Sequence, residues 1–157
     1  MAARVGMGFD VHAFSDDAGR RLVLGGVELP GERGLAGHSD ADVVTHAVAD
    51  ALLGAAGLGD LGDHFPDTDP VWAGADSLQL LSRVVEKVAA SEWRPANVDC
   101  TVVLEAPRLA PHRAAMQERL GAVVGAPVSV KATTAEGLGT IGRGEGVACW
   151  AVALVEA

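Results

Sequence analysis

Apolar residues recur with a helical period in the segment that begins at residue 43. The stripe of about 100° per residue consists of Val43, Val44, Ala47, Val48, Ala51 and Leu52. Ser39 is placed to cap the start of this predicted helix, with Asp42 three residues further on as in a capping box. Asp42, His46 and Asp50 are spaced four apart, on the flank away from the apolar stripe. His46 is therefore not predicted to be a core residue.

Alternating apolar positions, helical periods and turn residues predict the remaining elements. The predicted strands are Val5 to His12, two short runs about the Gly25-Gly26 turn, Val98 to Glu105, Val128 to Ala132, and Val147 to Val155. Pro95 and Asn97 are expected to break the chain before the Val98 strand. The other predicted helices run from Asp76 or Ser77 to about Ser91, and from Pro111 through Met116, Leu120 and Val124. This alternation predicts an α/β sandwich with helices on one sheet face.

Length and composition restrict the class of protein. A chain of 157 residues that is 49% hydrophobic forms one domain, residues 1 to 157, with an adequate core. A net charge of −9 with only 12 Lys and Arg leaves no basic stripe for nucleic acid. Cys100 and Cys149 lie in separate apolar runs and are expected to be buried free thiols. The sequence shows neither a leader before the first strand nor an apolar run of membrane-spanning length, and predicts a soluble, cytoplasmic protein with no membrane partner.

The strongest candidate chemistry is a metal site made from two separated segments. Strand side chains alternate faces, so Asp10 and His12 point the same way and can chelate one ion. A histidine from a packed helix, His46, can complete the set. One Asp and two His ligands suit zinc with an open fourth position, as in a catalytic site. An Asp-x-His pattern alone is a weak signal, and a solvated histidine is the ordinary alternative for His46.

Three loops have a functional and an ordinary interpretation. The acidic, glycine-rich segment from Leu58 to Pro70 is expected to lack regular structure and is either a binding or gating loop or a surface connection. The loop from Ala106 to Pro111 either presents its backbone to a flat ring or is only a rigid linker. The segment from Thr133 to Gly146 is either a phosphate-binding loop or a flexible hairpin.

Four motifs in the chain match one known family in order. GFDVH near the start, HSDAD followed by HA, GDLGDHFPDTDP, and KATTAEGLGTIGRGEG near the end resemble the 2-C-methyl-D-erythritol 2,4-cyclodiphosphate synthases of the non-mevalonate isoprenoid pathway. The resemblance extends from Arg4 to the final strand. It implies a four-stranded mixed sheet with helices on one face, in a homotrimer with active sites between subunits. It also implies cyclisation of 4-CDP-2-C-methyl-D-erythritol 2-phosphate, with release of CMP.

The resemblance assigns roles to individual residues. Asp10, His12 and His46 match the ligands of zinc or another divalent transition metal such as Mn²⁺, and Glu136 matches a ligand of a magnesium ion that bridges the substrate diphosphate. His38 and Thr134 match the residues that stabilise the transition state, and His38 and Ser39 match contacts to the 2-phosphate. The remaining substrate contacts implied are Val11, Asp60, Leu61, Gly62, Phe65, Pro66, Asp67, Thr68, Asp69, Leu104, Glu105, Ala106, Pro107, Arg108, Leu109, Ala110, Thr133, Ala135, Thr140 and Arg143, together with Asp10 and His12.

Some positions differ from the family pattern or relate to assembly. Thr140 stands where some members carry an aromatic residue, and Arg108 where some carry lysine. Arg143 and Glu145 match residues near the trimer axis. The cytidine loop, Leu104 to Ala110, and the phosphate residues are expected to come from different subunits.

Two other functions use the same residues. One is a metal-dependent phosphodiesterase or pyrophosphatase, in which Asp10, His12 and His46 hold the ion that activates water. The sequence feature against that function is the absence of an obvious extra base beside the site. The other is a trimeric binding module without catalysis.

Overall fold

The computed structural model describes residues 1–157 as six strands and five helices. The strands are β1 (Ala3–Ala13), β2 (Leu22–Leu24), β3 (Val27–Leu29), β4 (Arg94–Val103), β5 (Val128–Thr133) and β6 (Gly146–Glu156). The helices are α1 (Val43–Ala56), α2 (Leu61–His64), α3 (Ser77–Ala90), α4 (Arg113–Val124) and α5 (Gly139–Gly142), with a 3₁₀ turn at Pro70–Trp72.

The main sheet is four-stranded and mixed, in the order β1-β6-β4-β5. The pairs β1–β6 and β6–β4 are antiparallel, whereas β4 and β5 are parallel. Strands β2 and β3 form a separate hairpin, and Gly25 and Gly26 at its turn have φ values of 58° and 72°. Positive φ at both turn residues is the requirement that favours a Gly-Gly pair there. The architecture confirms the predicted α+β fold and the hairpin.

The two faces of the sheet differ sharply in what covers them. Helix α1 packs on β1 and β6, where Gly6 and Gly8 are buried. A Cβ atom at Gly8 would lie 2.0 Å from the carbonyl oxygen of Ala47, so only glycine permits this approach. On the opposite face, which we call the open face, six large apolar side chains are 43% to 67% exposed: Val5, Met7, Phe9, Val11, Trp150 and Val152.

Helix α1 is more deeply buried than its apolar stripe predicts. Its cap is Asp42 rather than Ser39, because the side chain of Asp42 accepts a hydrogen bond from the backbone N–H of Thr45 at 3.0 Å. The same carboxylate accepts from the N–H groups of Gly25 and Gly26, at 2.8 Å and 2.7 Å. Asp42 is thus fully buried between the hairpin and α1, and its predicted place on an exposed flank is wrong. Burial raises the pKa of Asp42, and the donated hydrogen bonds from Thr45 and Gly26 oppose the rise.

Several predicted boundaries also shift. The segment Leu58 to Pro70 does contain regular structure, because Asp60 caps the one-turn helix α2 in a capping box with Asp63. Strand β4 begins at Arg94, ahead of the predicted Val98, since an irregularity between Pro95 and Asn97 lets the strand continue past proline. Helix α4 begins at Arg113, two residues after Pro111.

The core confirms the interpretation of the cysteines. Cys100 on β4 and Cys149 on β6 are free and buried on the helix-covered face. Contact with the Cys100 thiol and burial both raise the pKa of Cys149. None of the helices is both long and apolar enough to cross a bilayer.

Candidate active site

A cluster of three potential metal ligands forms where β1 extends past Gly8 along α1. Oδ2 of Asp10 lies 3.0 Å from Nε2 of His12 and 3.0 Å from Nδ1 of His46. The three ligand atoms lie within 4.8 Å of one another. Residues 6, 8, 10 and 12 share one face of the strand, so the same alternation that admits α1 at the glycines carries Asp10 and His12 toward His46. The structure confirms that these three residues come together.

The second nitrogen of each histidine is also engaged. Nδ1 of His12 donates to the carbonyl oxygen of Ala36 at 2.7 Å. Nε2 of His46 lies 2.7 Å from Oγ of Ser77 and 3.2 Å from Oγ of Ser39. Outer hydrogen bonds of this kind fix the orientation of metal-bound histidines in proteins. The donor set therefore fits a zinc-type ion held by one oxygen and two nitrogens.

The three ligands form a charge-coupled group. Burial raises the pKa of Asp10, but hydrogen bonds from His12 and His46 outweigh it and lower that pKa to about 2. Burial lowers the pKa of His12, yet the hydrogen bond and charge of Asp10 bring about a net rise. In the metal-free protein Asp10 is consequently an anion that favours a proton or a metal ion at the neighbouring His12 ring.

A cavity of about 250 Å³ opens beside the cluster, and residues of several segments line it. They include His12 and His46 of the cluster, His38 and Ser39 of the loop before α1, Leu61, Phe65 and Asp67 of the acidic segment, and Trp72 of the 3₁₀ turn. Nε2 of His38 donates to the carbonyl oxygen of Asp69 at 3.0 Å, which joins the two loops. Phe65 packs edge-on against Trp72 with ring centroids 5.0 Å apart. The cavity is thus bounded by polar groups on one side and aromatic rings on the other.

A second opening lies on the other side of His46 and is strongly acidic. Phe9, Asp10, Asp50, Asp60, Leu61 and Gly62 line it together with His46. Oδ1 of Asp50 accepts a hydrogen bond from the backbone N–H of Leu61 at 3.2 Å, which attaches α2 to α1. Burial raises the pKa of Asp50, and that hydrogen bond opposes the rise. Asp60, Leu61 and Gly62 therefore adjoin the metal cluster.

The predicted cytidine loop adjoins the phosphate segment of its own chain. Leu104, Glu105, Pro107, Arg108, Leu109 and Ala110 line a cavity of about 230 Å³ together with Thr133 and Thr134. The backbone N–H of Ala135 also donates to Oε1 of Glu105 at 2.7 Å. The expectation that the loop and the phosphate residues come from different subunits is therefore wrong for Thr133 and Thr134, because β4 and β5 are neighbouring parallel strands that end at the same edge. No residue lines both this cavity and the one beside the metal cluster.

Other predicted residues lie apart from both cavities. Glu136 is exposed with φ 54°, and its N–H donates to Oγ1 of Thr134 at 3.2 Å. Arg143 forms an exposed 3.0 Å ion pair with Glu145, and Thr140 lies in the exposed turn α5. The side chain of Val11 is on the open face, opposite to Asp10 and His12.

Sequence reasoning missed several residues that build the site. The guanidinium of Arg20 donates to the carbonyl oxygens of Leu35, Gly37 and Ser39, at 2.7 Å, 3.0 Å and 2.5 Å. That clamp shapes the loop that carries His38. Ser77 is predicted only as a helix start, and Asp50 only as a flank residue. The sequence offers a signal only for Asp50, which follows His46 by four residues. The hydrogen bonds of Arg20 and the contact of Ser77 with His46 join residues 15 to 31 apart in the chain, so no local pattern indicates them.

The fold and the site together define an α+β protein with an Asp-His-His group whose ligand atoms are spaced to hold a metal ion. The model of the YgbB family matches residues 3–156, and the chain belongs to that family.

Similar proteins carry the name to which the four motifs point. The 2-C-methyl-D-erythritol 2,4-cyclodiphosphate synthase of Symbiobacterium thermophilum is 60% identical over 154 residues, covering 96% of this chain and 97% of that protein. The solved bifunctional IspDF of Campylobacter jejuni is 40% identical with a TM-score of 0.93, covering 98% of this chain and 42% of the longer one. IspF of Plasmodium falciparum, solved as a CDP complex, is 29% identical with a TM-score of 0.84, covering 98% and 96%.

Proposed function

We propose that this protein converts 4-CDP-2-C-methyl-D-erythritol 2-phosphate to 2-C-methyl-D-erythritol 2,4-cyclodiphosphate and CMP, as a lyase of isoprenoid precursor biosynthesis. The observation that carries the proposal is the cluster of Asp10, His12 and His46 beside the cavity of His38 and Ser39. The residues assigned to a metal ion thereby adjoin the residues assigned to the 2-phosphate. The names of the similar proteins support the same reaction.

The metal ions follow from the donor chemistry. Asp10, His12 and His46 suit Zn²⁺, with Mn²⁺ as a further candidate, whereas a lone exposed carboxylate such as Glu136 suits Mg²⁺, which takes most of its other ligands from phosphates and water. A zinc ion at the cluster would polarise an oxygen of the β-phosphate, and a magnesium ion at Glu136 would balance charge on the diphosphate.

The protein groups position two parts of one molecule. His38 and Ser39 are assigned to the 2-phosphate, and Thr134 with its neighbours Thr133, Ala135 and Glu136 to the diphosphate. The second pKa of a phosphate monoester is about 6, so the 2-phosphate is mostly a dianion at neutral pH and is itself the nucleophile. Its oxygen bonds to the β-phosphorus while the bond from that phosphorus to the CMP oxygen breaks. Holding attacker and target in line supplies much of the acceleration. Asp60 to Gly62 and Phe65 to Asp69 are assigned to the methylerythritol and ribose, and Leu104 to Ala110 to cytosine.

We further propose that the active enzyme is a homotrimer, with each site formed between two subunits. Six exposed apolar side chains on the open face need a cover, and a second and third copy of the chain would supply it. The cavity beside the metal cluster and the cavity lined by the loop Leu104 to Ala110 share no residue, which suits a site that combines the first cavity of one subunit with the second cavity of another. The predicted placement of Arg143 and Glu145 near the axis belongs to this proposal. The free thiols of Cys100 and Cys149 fit a cytoplasmic location.

The decisive experiment runs the reaction in water enriched in heavy oxygen and weighs the products. Attack by the tethered phosphate yields a cyclic diphosphate and CMP that both lack solvent label. Attack by a metal-bound water inserts one solvent oxygen for each turnover, as the phosphodiesterase alternative requires. Stoichiometric label in either product therefore overturns the cyclisation proposal. Absence of any turnover with the metal-loaded protein supports a binding module instead.

The metal assignment is tested by His46→Ala. The variant should keep its circular dichroism spectrum, because the apolar residues of α1 hold the helix on the sheet. Bound zinc, measured by elemental analysis, and CMP release should both be lost. Full zinc occupancy in the folded variant removes His46 from the site.

A further inference from the structure

The side chain of Ser77 lies at the centre of a hydrogen-bonded chain behind the metal cluster. Ser77 is the first residue of α3 and is only 1% exposed. Its Oγ lies 2.7 Å from Nε2 of His46, and its hydroxyl also contacts Oδ1 of Asp40. The backbone N–H of Ser77 donates to the other oxygen of Asp40 at 3.0 Å. Ser77 therefore joins the candidate ligand His46 to Asp40, a carboxylate 37 residues before the serine in the chain.

Donor and acceptor accounting fixes the direction of each hydrogen bond. A carboxylate accepts but does not donate, and a serine hydroxyl has one hydrogen and two lone pairs. The hydrogen of Ser77 must therefore point to Asp40, which leaves Oγ as an acceptor. Nε2 of His46 must then carry the proton. Nδ1, which lies 3.0 Å from Oδ2 of Asp10, is the nitrogen that remains for a metal ion at the cluster.

We infer that Ser77 and Asp40 are positioning residues that bind the Nε2 hydrogen of His46 and hold its ring with Nδ1 turned toward the metal cluster. The inference rests on the metal site of the proposed function. Carboxylate partners behind metal-bound histidines are a general means of fixing the ring and raising its basicity. Here the serine hydroxyl transmits the effect of the carboxylate.

The two histidines of the site are held in different ways. His12 donates from Nδ1 to the backbone carbonyl of Ala36, a partner that no side-chain substitution removes. His46 depends on side chains alone, with Ser77 nearer than Ser39. Because Ser77 accepts the proton of His46, the hydroxyl hydrogen of Ser39 is left to donate into the cavity. The Ser77–Asp40 pair thereby separates metal binding from phosphate binding within one cluster of hydroxyls.

Three variants test the inference. Ser77→Ala removes the acceptor, Ser77→Thr retains a hydroxyl, and Asp40→Asn keeps the size of the carboxylate but lowers its acceptor strength. Ser91→Ala is the matched control, because Ser91 follows the other end of α3 and its Oγ donates to the carbonyl of Val88 at 2.8 Å. Each variant is compared with the unaltered protein for thermal midpoint, zinc affinity by chelator competition, and the absorption spectrum with cobalt in place of zinc.

The hydrogen bond itself is read from proton–nitrogen NMR spectra of the metal-free protein. We expect an Nε2–H of His46 that exchanges slowly with water in the unaltered protein and rapidly in Ser77→Ala. The zinc dissociation constant should rise by about 10- to 100-fold in Ser77→Ala, less in Asp40→Asn, and return toward normal in Ser77→Thr. Ser91→Ala should leave zinc affinity and the cobalt spectrum unchanged even if its thermal midpoint falls.

The outcomes separate this inference from the proposed function. Unchanged exchange of the His46 Nε2–H and zinc affinity within twofold in a folded Ser77→Ala protein overturn the inference while leaving the metal site standing. A fall in thermal midpoint equal to that of Ser91→Ala, with no change at the metal, has the same meaning. If the unaltered protein binds no zinc, the proposed function fails, and a slowly exchanging Nε2–H that depends on Ser77 still supports the hydrogen-bonded chain. Should Ser77→Ala not fold, Asp40→Asn and Ser77→Thr give the same comparison.

Discussion

The two faces of β1 have opposite requirements, although their residues alternate along one strand. On the helix-covered face, Gly6 and Gly8 have no side chain beyond hydrogen, and Asp10 and His12, further along the strand, carry candidate metal ligands. On the open face, bulky apolar residues persist from Val5 to Val11 and continue on β6, where Phe9 and Trp150 lie with ring centroids 4.8 Å apart. The first face meets a helix of its own chain at close range. The second meets, on our proposal, other copies of the chain.

The largest expected effect comes from closing the gap on the helix-covered face. In Gly8→Ala the added Cβ would lie 2.0 Å from the carbonyl oxygen of Ala47, so α1 must leave the sheet. We expect no cooperative thermal transition. Gly54→Ala is the matched control, because its Cβ would find nothing nearer than 3.8 Å, and helix propensity favours alanine by up to about 1 kcal/mol. A Gly8→Ala protein as stable as Gly54→Ala would contradict the close-approach argument.

The next effect is loss of assembly with the fold retained. Met7 is 66% exposed in the single chain, so Met7→Asp should leave circular dichroism unchanged. In a trimer that buries this face, an unpaired carboxylate costs several kcal/mol, and the variant should be monomeric at micromolar concentration by light scattering. CMP release should then fall to background. Ala115→Asp adds the same charge at an exposed position of α4 and should change neither property. If the Met7→Asp protein is still a trimer, the subunit interface lies on another surface of the chain.

A partial recovery of activity should reveal which residues work together across subunits. His46→Ala and Thr134→Ala should each be inactive as pure proteins. In a one-to-one mixture that is refolded together, about a quarter of sites between neighbouring subunits combine two intact halves. Recovery of CMP release near that fraction supports shared sites. Zero recovery, when mass spectrometry shows that subunits have exchanged, indicates sites within one chain.

The smallest expected effect is a pH dependence of the response to zinc. The pKa of His12 is raised above its usual 6.5 in the folded, metal-free protein. The Asp10–His12 pair therefore contributes stability that is complete below about pH 6.5 and is lost as pH rises through the folded pKa. Zinc competes with the proton, so the rise in thermal midpoint on adding zinc should be larger at about pH 8 than at about pH 6. A zinc response independent of pH would contradict the coupling of Asp10 to His12.

Features that depend on local sequence patterns were predicted better than features that depend on contacts between distant residues. The alternation along β1 and the helical stripe of α1 made Asp10, His12 and His46 candidates for one metal site, because each pattern defines a face, and the family resemblance joined the three. The cap of α1 was predicted wrongly, because Asp42 is selected by the Gly25 and Gly26 N–H groups of a hairpin 16 to 17 residues away. The role of Ser77 was not predicted, since a serine at a helix start is ordinary in sequence.

The sequence by itself determined the hairpin turn, the faces of β1 and the three candidate metal ligands. Each of these depends on backbone geometry or on side-chain periodicity over a few residues. Only the tertiary structure decided that Asp42 is buried, that Arg20 clamps the His38 loop, and that the cytidine loop adjoins Thr133 and Thr134 of the same chain. Those facts depend on which segments meet after the chain has closed, and hydrogen bonds across such distances leave no periodic trace in the sequence.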